Sequence, residues 1–267
     1  MNDVIISVQN PLIKKIKRLL EKASARKEEQ LFVVEGVREV SLMQRGGYVS
    51  EVILVCREYY APSAEYPINL SGNVRYVSEE VYNSLVYREK SEGVLAIARI
   101  RSFELTSVRL KENPLILLVA SLEKPGNLGA LLRTADAAGA DAVLVCDAQA
   151  DIYNPNVLRS SIGTFFTNTI VCCNWEKAYQ WMLRHNIKTY AADPEAEKYY
   201  FNENFFEGTA FVLGSEARGI PEHIRKQCRE RIKIPMMGNI DSLNVSVSGA
   251  ILMYEALRQR MVAEEKK

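Results

Sequence analysis

The stretch that decides the fold runs from Ile234 to Ala250 and reads IPMMGNIDSLNVSVSGA. A helix is predicted from about Leu243 past Arg260, and its first turns hold β-branched residues, several serines and Gly249, all poor helix formers. Small residues let another backbone pass close by, and the start of a helix presents unpaired N–H groups to a ligand. The pattern predicts a tight binding site at Ser242–Asn244, with a tightly packed core helix as the alternative.

A second informative segment, PGNLGALLRTA, runs from Pro125 to Ala135 after a fully apolar run that predicts a buried strand. A turn leads into a helix near Asn127, and α/β sheets place their ligands in loops of this kind. Asn127 and Arg133 are therefore candidate site residues. A helix cap at Asn127 and a surface position for Arg133 would explain the same residues.

The third segment, FVLGSEARGI from Phe211 to Ile220, predicts a strand that ends in a loop. Gly214 and Gly219 permit positive φ or a close approach of the backbone to a ligand, and Glu216 lies between them. The segment matches neither the phosphate loop of nucleoside triphosphatases nor the dinucleotide fingerprint of dehydrogenases. Both of those functions therefore lose their main support, and a glycine turn capped by Glu216 is the alternative.

The bulk composition indicates an ordinary globular protein of two domains. The chain has 267 residues, of which 48% are hydrophobic and 25% are charged, and domains usually hold about 100–150 residues. The formal net charge of +1 excludes a histone-like polycation, so nucleic-acid contacts must come from local basic patches.

Two such patches are present. The apolar positions from Pro11 to about Lys27 follow helical spacing, with lysine and arginine on the remaining face. This face is either a solvated helix surface or one that follows the phosphate backbone of a nucleic acid. Its candidate nucleic-acid contacts are Lys14, Lys15, Lys17 and Arg18. The second patch either binds phosphates beside the predicted site or is a solvated surface. It consists of Arg218, Arg225, Lys226, Arg229, Arg231 and Lys233.

Alternating strand and helix patterns predict an α/β fold in both domains. We place a small α/β domain at 1–100, a polar linker at 101–113, and a larger domain at 114–267 with a mostly parallel sheet covered by helices on both faces. The predicted strands of the first domain are Leu31–Val34, Glu51–Cys56, Val74–Val77 and Gly93–Ile100, and its helix near Ser78–Leu85 precedes the last of them. Those of the second domain are Leu115–Ala120, Ala142–Cys146, Thr167–Cys172, Lys188–Ala191, Thr209–Leu213 and Arg231–Ile234.

The cysteines and the N-terminus give information about location. Five scattered cysteines without paired C-x-x-C spacing favour idle thiols over a zinc or redox site. The first residues include polar side chains and no long apolar run, so neither a signal peptide nor a membrane span is expected. These features indicate a cytoplasmic protein.

Taken in order, the three segments resemble the three motifs of the SpoU (TrmH-type) branch of the SPOUT methyltransferases. These motifs read N-x-G-x-x-x-R-T-A, L-G-x-E-x-x-G and I-P-M-x-G-x-x-x-S-L-N-V-S-V. The resemblance covers about Leu115 to Arg260. Asn10-Pro11 and the stretch from Phe32 to Gly36 are similar to the substrate-binding module of many members.

The resemblance implies a C-terminal α/β knot, in which the chain threads through a loop to make a deep trefoil knot. It also implies an N-terminal domain like the ribosomal protein L30e, which binds kinked RNA. The methyl donor S-adenosylmethionine is expected at the knot, without a metal ion. The implied donor contacts are Leu213, Gly214, Ser215, Gly219, Ile234, Pro235, Met236, Ser242, Leu243 and Val245.

The implied activity is methyl transfer to a ribose 2′-hydroxyl of RNA, more often 23S-type ribosomal RNA than transfer RNA. Alignment should dominate the rate of such a displacement. Arginine is a poor base because its guanidinium holds its proton so strongly, so Arg133 is expected to clamp the target phosphate and oxygen. Arg133 and Arg218 would also contact RNA. The implied catalytic residues are Arg133, Asn127, Glu216, Ser242 and Asn244.

The implied partners are RNA and a second copy of the chain, with neither DNA nor a membrane. In this family the catalytic domains pair, and the arginine of the first motif approaches the donor pocket of the other subunit. Two alternatives stay open: a transfer RNA methyltransferase, and a non-catalytic RNA-binding or assembly factor with the same fold.

Overall fold

The computed structural model describes residues 4–87, 92–121, 124–146, 151–215 and 217–264. The chain divides into two compact units, the first comprising Met1–Arg101 with Asp151–Thr167 and the second Ser102–Ala150 with Asn168–Lys267. The segment Asp151–Thr167 lies within the predicted C-terminal domain but packs in the first unit. The domain limits 1–100, 101–113 and 114–267 stay a prediction.

The described residues form α-helices and β-strands in both units. The helices are α1 (Pro11–Glu21), α2 (Ala23–Glu29), α3 (Val37–Arg45), α4 (Glu79–Asn83), α5 (Pro125–Ala137), α6 (Pro155–Ser160), α7 (Trp175–Arg184), α8 (Glu222–Gln227) and α9 (Val245–Glu264). The strands are β1 (Leu31–Glu35), β2 (Ser50–Val55), β3 (Val74–Tyr76), β4 (Val94–Arg99), β5 (Leu115–Ala120), β6 (Ala142–Cys146), β7 (Ile170–Cys173), β8 (Lys188–Ala192), β9 (Lys198–Tyr199), β10 (Thr209–Leu213) and β11 (Glu230–Lys233). None of the helices in these residues is long and apolar enough to cross a membrane.

The first unit is built on a four-stranded mixed sheet in the order β1-β4-β2-β3. Strand β4 pairs antiparallel with β1 and β2, whereas β2 and β3 are parallel. Helix α1 buries Ile13, Ile16 and Leu19 completely against the same core as Leu54 and Leu95. All four strands predicted for this unit are present, and their ends lie within about two residues of the predicted ends.

The prediction of a single helix from Pro11 to about Lys27 is wrong. The backbone of Lys22 is extended, and it separates α1 from α2. The break lets α2 fold back so that Arg26 caps the end of α1. The Arg26 guanidinium, 2% exposed, donates to the carbonyl of Leu19 and binds Asp151 at 2.6 Å. The last carbonyls of a helix lack partners within it, and the folded-back arginine supplies donors for them.

Aromatic packing holds Asp151–Thr167 in the first unit. The ring of Phe32 on β1 lies 4.6 Å from the ring of Tyr153 and 6.2 Å from that of Phe166, between centroids. Tyr48 meets Phe166 edge to face at 5.2 Å. Because aromatic pairs of this geometry add to the energy of burial, the segment is fixed to β1 and not only tethered by its ends.

The second unit is built on a seven-stranded sheet in the order β7-β6-β5-β10-β8-β11-β9. Every pairing in it is parallel. Successive side chains of a strand point to opposite faces, and β5 is fully buried on both, so helices must cover both faces. Leu118 and Val212 pack on one face with Trp181 of α7 and Ile224 of α8.

Helices α5 and α9 pack on the other face, and a glycine lies at their contact. A Cβ atom on Gly249 of α9 would lie 2.5 Å from Leu131 Cδ2 of α5 and 3.0 Å from Leu213 Cδ1 of β10. A larger side chain would require the side chains of Leu131 and Leu213 to move aside. The poor helix formers at the start of α9, which begins at Val245 instead of the predicted Leu243, are therefore explained partly by close packing.

Candidate active site

One cavity of the second unit lies where the second and third sequence segments meet. Its volume is about 540 Å³. The segments that line it follow the carboxyl ends of β8, β10 and β11, the edge at which parallel sheets bind ligands. The lining residues are Ala192, Asp193, Pro194, Glu195, Leu213, Gly214, Ser215, Arg218, Gly219, Ile220, Arg225, Ile232, Ile234, Met236, Asp241, Ser242, Leu243, Val245 and Ser248.

Most of the predicted donor contacts come together at this cavity, although these residues are far apart in sequence. Pro235 is the one that is not among its lining residues. Their role in donor binding stays a prediction. Those that line the cavity are Leu213, Gly214, Ser215, Gly219, Ile234, Met236, Ser242, Leu243 and Val245.

A tight turn after β10 forms one wall. The N–H of Ser215 donates to the carbonyl of Gly219 at 3.1 Å and the reverse bond is 2.9 Å, while the Ser215 hydroxyl accepts from the N–H of Arg218 at 3.1 Å. This turn folds back onto Gly214, where an added Cβ would lie 2.0 Å from the carbonyl carbon of Gly219. Only glycine fits there. Glu216 lies outside the described residues, so its predicted role stays a prediction.

Two asparagines connect the first and third segments. Asn244 Nδ2 donates to Asn127 Oδ1 at 3.2 Å, which ties the start of α9 to the start of α5. Asn244 Oδ1 accepts from the N–H of Ser246 at 2.9 Å, the bond of a helix N-cap. Asn244 therefore fixes the chain next to Ser242, which lines the cavity.

Arg133 is exposed on α5 and is not among the residues that line the cavity of its own chain. It lies six residues after Asn127, and six residues turn an α-helix by about 240° beyond a full turn. Its side chain therefore leaves α5 on a different face from that of Asn127. The structure brings Asn127 and Asn244 together but does not bring Arg133 to them.

Sequence reasoning missed Asp193, which lines the cavity just after β8 and is 7% exposed. Its Oδ2 accepts from Arg231 Nε at 2.8 Å and lies 3.5 Å from Arg225 Nη1, and its N–H donates to the carbonyl of Ile232 at 2.9 Å. These contacts fix the β8 end of the wall. The sequence carried one signal for this residue, namely an acidic side chain just after a predicted buried strand. Two arginines of the second basic patch are thus engaged by a carboxylate.

The predicted RNA contacts of α1 differ in their surroundings. Lys15 binds Glu29 at 3.0 Å and Arg18 also pairs with Glu29, and Lys15 lowers the pKa of that carboxyl. Lys14 is exposed and Lys17 is half-buried. Two of the four predicted RNA contacts of α1 are thus paired with a carboxylate. The contact of α1 with RNA stays a prediction.

Burial favours the protonated form of two of the thiols. Burial raises the pKa of Cys228 to about 12 and that of Cys56 to about 11. Among the described residues, no group of three histidine, cysteine or acidic side chains is placed to hold a metal ion. Chemistry without a metal stays a prediction.

Comparison with known families decides the identity of these segments. The model of the SpoU rRNA methylase family matches residues 114–254, and that of the MRM3-like substrate binding domain matches residues 10–96. The chain belongs to the SpoU rRNA methylase family. The resemblance stated from the three motifs is therefore confirmed.

Relatives cover nearly the whole chain of this SpoU-family protein. The 23S rRNA (guanosine(2553)-2'-O)-methyltransferase RlmP of Bacillus subtilis (strain 168) is 28% identical over 250 residues, covering 94% of this chain and 97% of its own. A solved RNA 2'-O ribose methyltransferase is 38% identical with a TM-score of 0.84, covering 97% of this chain and 100% of its own.

The SpoU methyltransferase AviRb from Streptomyces viridochromogenes, solved in complex with the cofactor AdoMet, is 25% identical with a TM-score of 0.84. The match covers 95% of this chain and 99% of AviRb. The predicted α/β fold with its knotted, mostly parallel sheet is confirmed by these neighbours.

Proposed function

We propose that this protein transfers a methyl group from S-adenosylmethionine to a ribose 2′-oxygen of 23S-type ribosomal RNA, in the cytoplasm. The meeting of the second and third motifs at one cavity carries the proposal. Membership of the SpoU family and the name of the Bacillus relative support the reaction and the ribosomal substrate. The match to a substrate binding domain at 10–96 supports a large RNA as the target.

The cavity fits the proposed methyl donor. Its volume of about 540 Å³ lies in the range of about 300–1,000 Å³ typical of sites for small ligands and cofactors. Leu213, Ile234, Leu243 and Val245 give it apolar walls for a flat adenine ring. The missing side chain at Gly214 lets the turn after β10 close against Gly219 and form one wall of the cavity.

The residues of the chain supply position and charge for the reaction. Bound S-adenosylmethionine supplies a methyl carbon that is transferred by in-line attack of the 2′-oxygen as the carbon–sulfur bond breaks. Asn244 and Asn127 hold the wall at Ser242 in place, so that the donor end of the site is rigid. Arg133 donates hydrogen bonds to the target phosphate and the 2′-oxygen, so that it positions the ribose and favours loss of the 2′-hydroxyl proton to solvent as the carbon–oxygen bond forms.

The proposal includes a homodimer in which Arg133 serves the cavity of the other subunit. Val247, Tyr254 and Met261 of α9 are 45%, 48% and 52% exposed and recur every seven residues, so they share one face of the helix. An apolar stripe of this kind favours pairing with a second copy. The exposed position of Arg133, on a different face of α5 from Asn127, supports the same arrangement.

Asn244→Ala is expected to weaken S-adenosylmethionine binding about tenfold. The substitution removes the N-cap of α9, at a cost of about 1 kcal/mol, and frees the cavity wall at Ser242. Titration calorimetry of the full chain measures the change.

Asn174→Ala is the matched control, because Asn174 caps α7 by accepting from the N–H of Lys177 at 2.9 Å and does not line the cavity. It should lose similar stability and keep its donor affinity. Equal donor affinity in both variants would contradict the proposed site. Absence of binding by the folded parent protein, with RNA present as well, would favour an assembly factor.

A further inference from the structure

A second cavity, of about 510 Å³, lies within the first unit. We call it the N-terminal cavity. It is lined by helices α1, α3 and α6, by strand β1 and by the segment after α4. The residues that matter below are Lys17, Glu35, Glu39, Leu85, Tyr87 and Arg159. The methyl-transfer reaction proposed above assigns no role to this cavity.

The acidic groups of the N-terminal cavity indicate the kind of ligand. Three carboxylates line it (Glu21, Glu35 and Glu39), against two cations (Lys17 and Arg159). A site for a free phosphate would need an excess of cations instead. The cavity is thus suited to a ligand that offers N–H donors.

Glu35, the last residue of β1, carries an unused acceptor. Its Oε2 accepts from the N–H of Tyr87 at 3.3 Å. Its Oε1 is buried and has no hydrogen-bond partner within the part of the chain that the structure describes. A buried carboxylate oxygen without a donor is costly, and a ligand N–H would relieve that cost.

The mouth of the cavity has a flat aromatic surface. The Tyr87 ring is 82% exposed, and the guanidinium carbon of Arg159 lies 4.1 Å from its centroid. Exposed aromatic rings and arginine planes are the surfaces on which single-stranded RNA stacks its bases. Leu85 and Leu158 add apolar walls below this surface.

We propose that the N-terminal cavity binds one unstacked RNA base bearing an exocyclic amino group, which stacks on Tyr87 and donates to Glu35. Guanine fits best because its N1–H and amino group are adjacent donors, and adenine and cytosine each offer an amino group. Uracil offers a single N–H between two carbonyls, which the carboxylates repel. The inference rests on the proposed function in taking RNA as the substrate.

Fluorescence anisotropy of the full chain with labelled UUGUU, UUAUU, UUCUU and UUUUU pentamers of RNA tests this base site. The parent protein should bind UUGUU about tenfold more tightly than UUUUU, with the other two between them. Glu35→Gln should reduce the preference to less than about twofold, and Glu65→Gln, an exposed change in the same unit, should keep it.

Tyr87→Leu should weaken binding of all four pentamers by about fivefold or more, whereas Tyr87→Phe should keep it, because stacking needs the ring and not the hydroxyl. Because Tyr87 is exposed, these two substitutions should not prevent folding. The pair therefore tests the inference even if Glu35→Gln does not fold. Equal binding of the four pentamers, or no binding at about 1 mM, would overturn the inference. Calorimetry with S-adenosylmethionine on the same samples reports separately on the proposed function.

Discussion

Arg133→Ala is expected to lower the rate of methyl transfer by about a hundredfold or more while the affinity for S-adenosylmethionine stays unchanged. The guanidinium is proposed to hold the target phosphate and the attacking oxygen, which matter only once RNA is bound. Because Arg133 does not line the cavity of its own chain, donor binding should not depend on it. Single-turnover transfer to RNA and donor calorimetry measure the two effects.

Two further variants give this prediction its controls. Arg133→Lys keeps the charge but loses the planar fork, so it should recover only part of the rate. Arg184→Ala removes an exposed arginine from the end of α7 and should leave the rate unchanged. Near-normal turnover by Arg133→Ala would contradict the proposed role.

Coexpression of Arg133→Ala chains with Asn244→Ala chains tests whether the arginine acts across the dimer. A mixed dimer would contain one site with an intact cavity and an intact arginine, so random pairing should restore about a quarter of the parent activity. The assay should use an S-adenosylmethionine concentration that lies between the dissociation constant of the parent protein for this donor and that of Asn244→Ala. Activity no higher than that of the separate variants would rule out shared sites.

Gly214→Ala is expected to abolish donor binding and to destabilise the second unit by about 3 kcal/mol. The new Cβ would lie 2.0 Å from the carbonyl carbon of Gly219 and 2.2 Å from its oxygen, and both are backbone atoms that no rotamer change can move. The turn after β10 would have to open, and that turn is one wall of the cavity. Urea denaturation and donor calorimetry measure the two losses.

Gly126→Ala is the matched control, since a Cβ there meets no atom within 4 Å. It lies in the first turn of α5, where alanine is the better helix former, and it should leave both stability and donor affinity intact. Retention of donor affinity by Gly214→Ala would mean that the turn does not form the donor site.

Much of the fold was predictable because buried parallel strands read as apolar runs. The strand predicted at Thr209–Leu213 has those bounds in the structure, and the run at Leu115–Ala120 does as well. The spacing of apolar residues does not reveal a knot. The knot was predicted from the resemblance of the three motifs to a known family. The two-residue edge strand Lys198–Tyr199 escaped prediction because it is too short to show a pattern.

The errors and omissions concern contacts between residues far apart in sequence. The break between α1 and α2 depends on the buried contact of Arg26 with Asp151, 125 residues away. The ion pairs of Asp193 with Arg225 and Arg231 became visible only in the fold. Local patterns carry no information on such pairs, whereas motif residues such as Gly214 could be named in advance.

The most direct test of the proposed function is methyl transfer from tritiated S-adenosylmethionine to 23S ribosomal RNA, followed by complete alkaline hydrolysis. A methyl group on the 2′-oxygen blocks the attack that cleaves the next phosphodiester, so the label should appear in alkali-resistant dinucleotides. Label in mononucleotides would mean methylation of a base, and no label on free or ribosomal RNA would mean that the chain does not catalyse the reaction. Either result would contradict ribose 2′-O-methylation of ribosomal RNA.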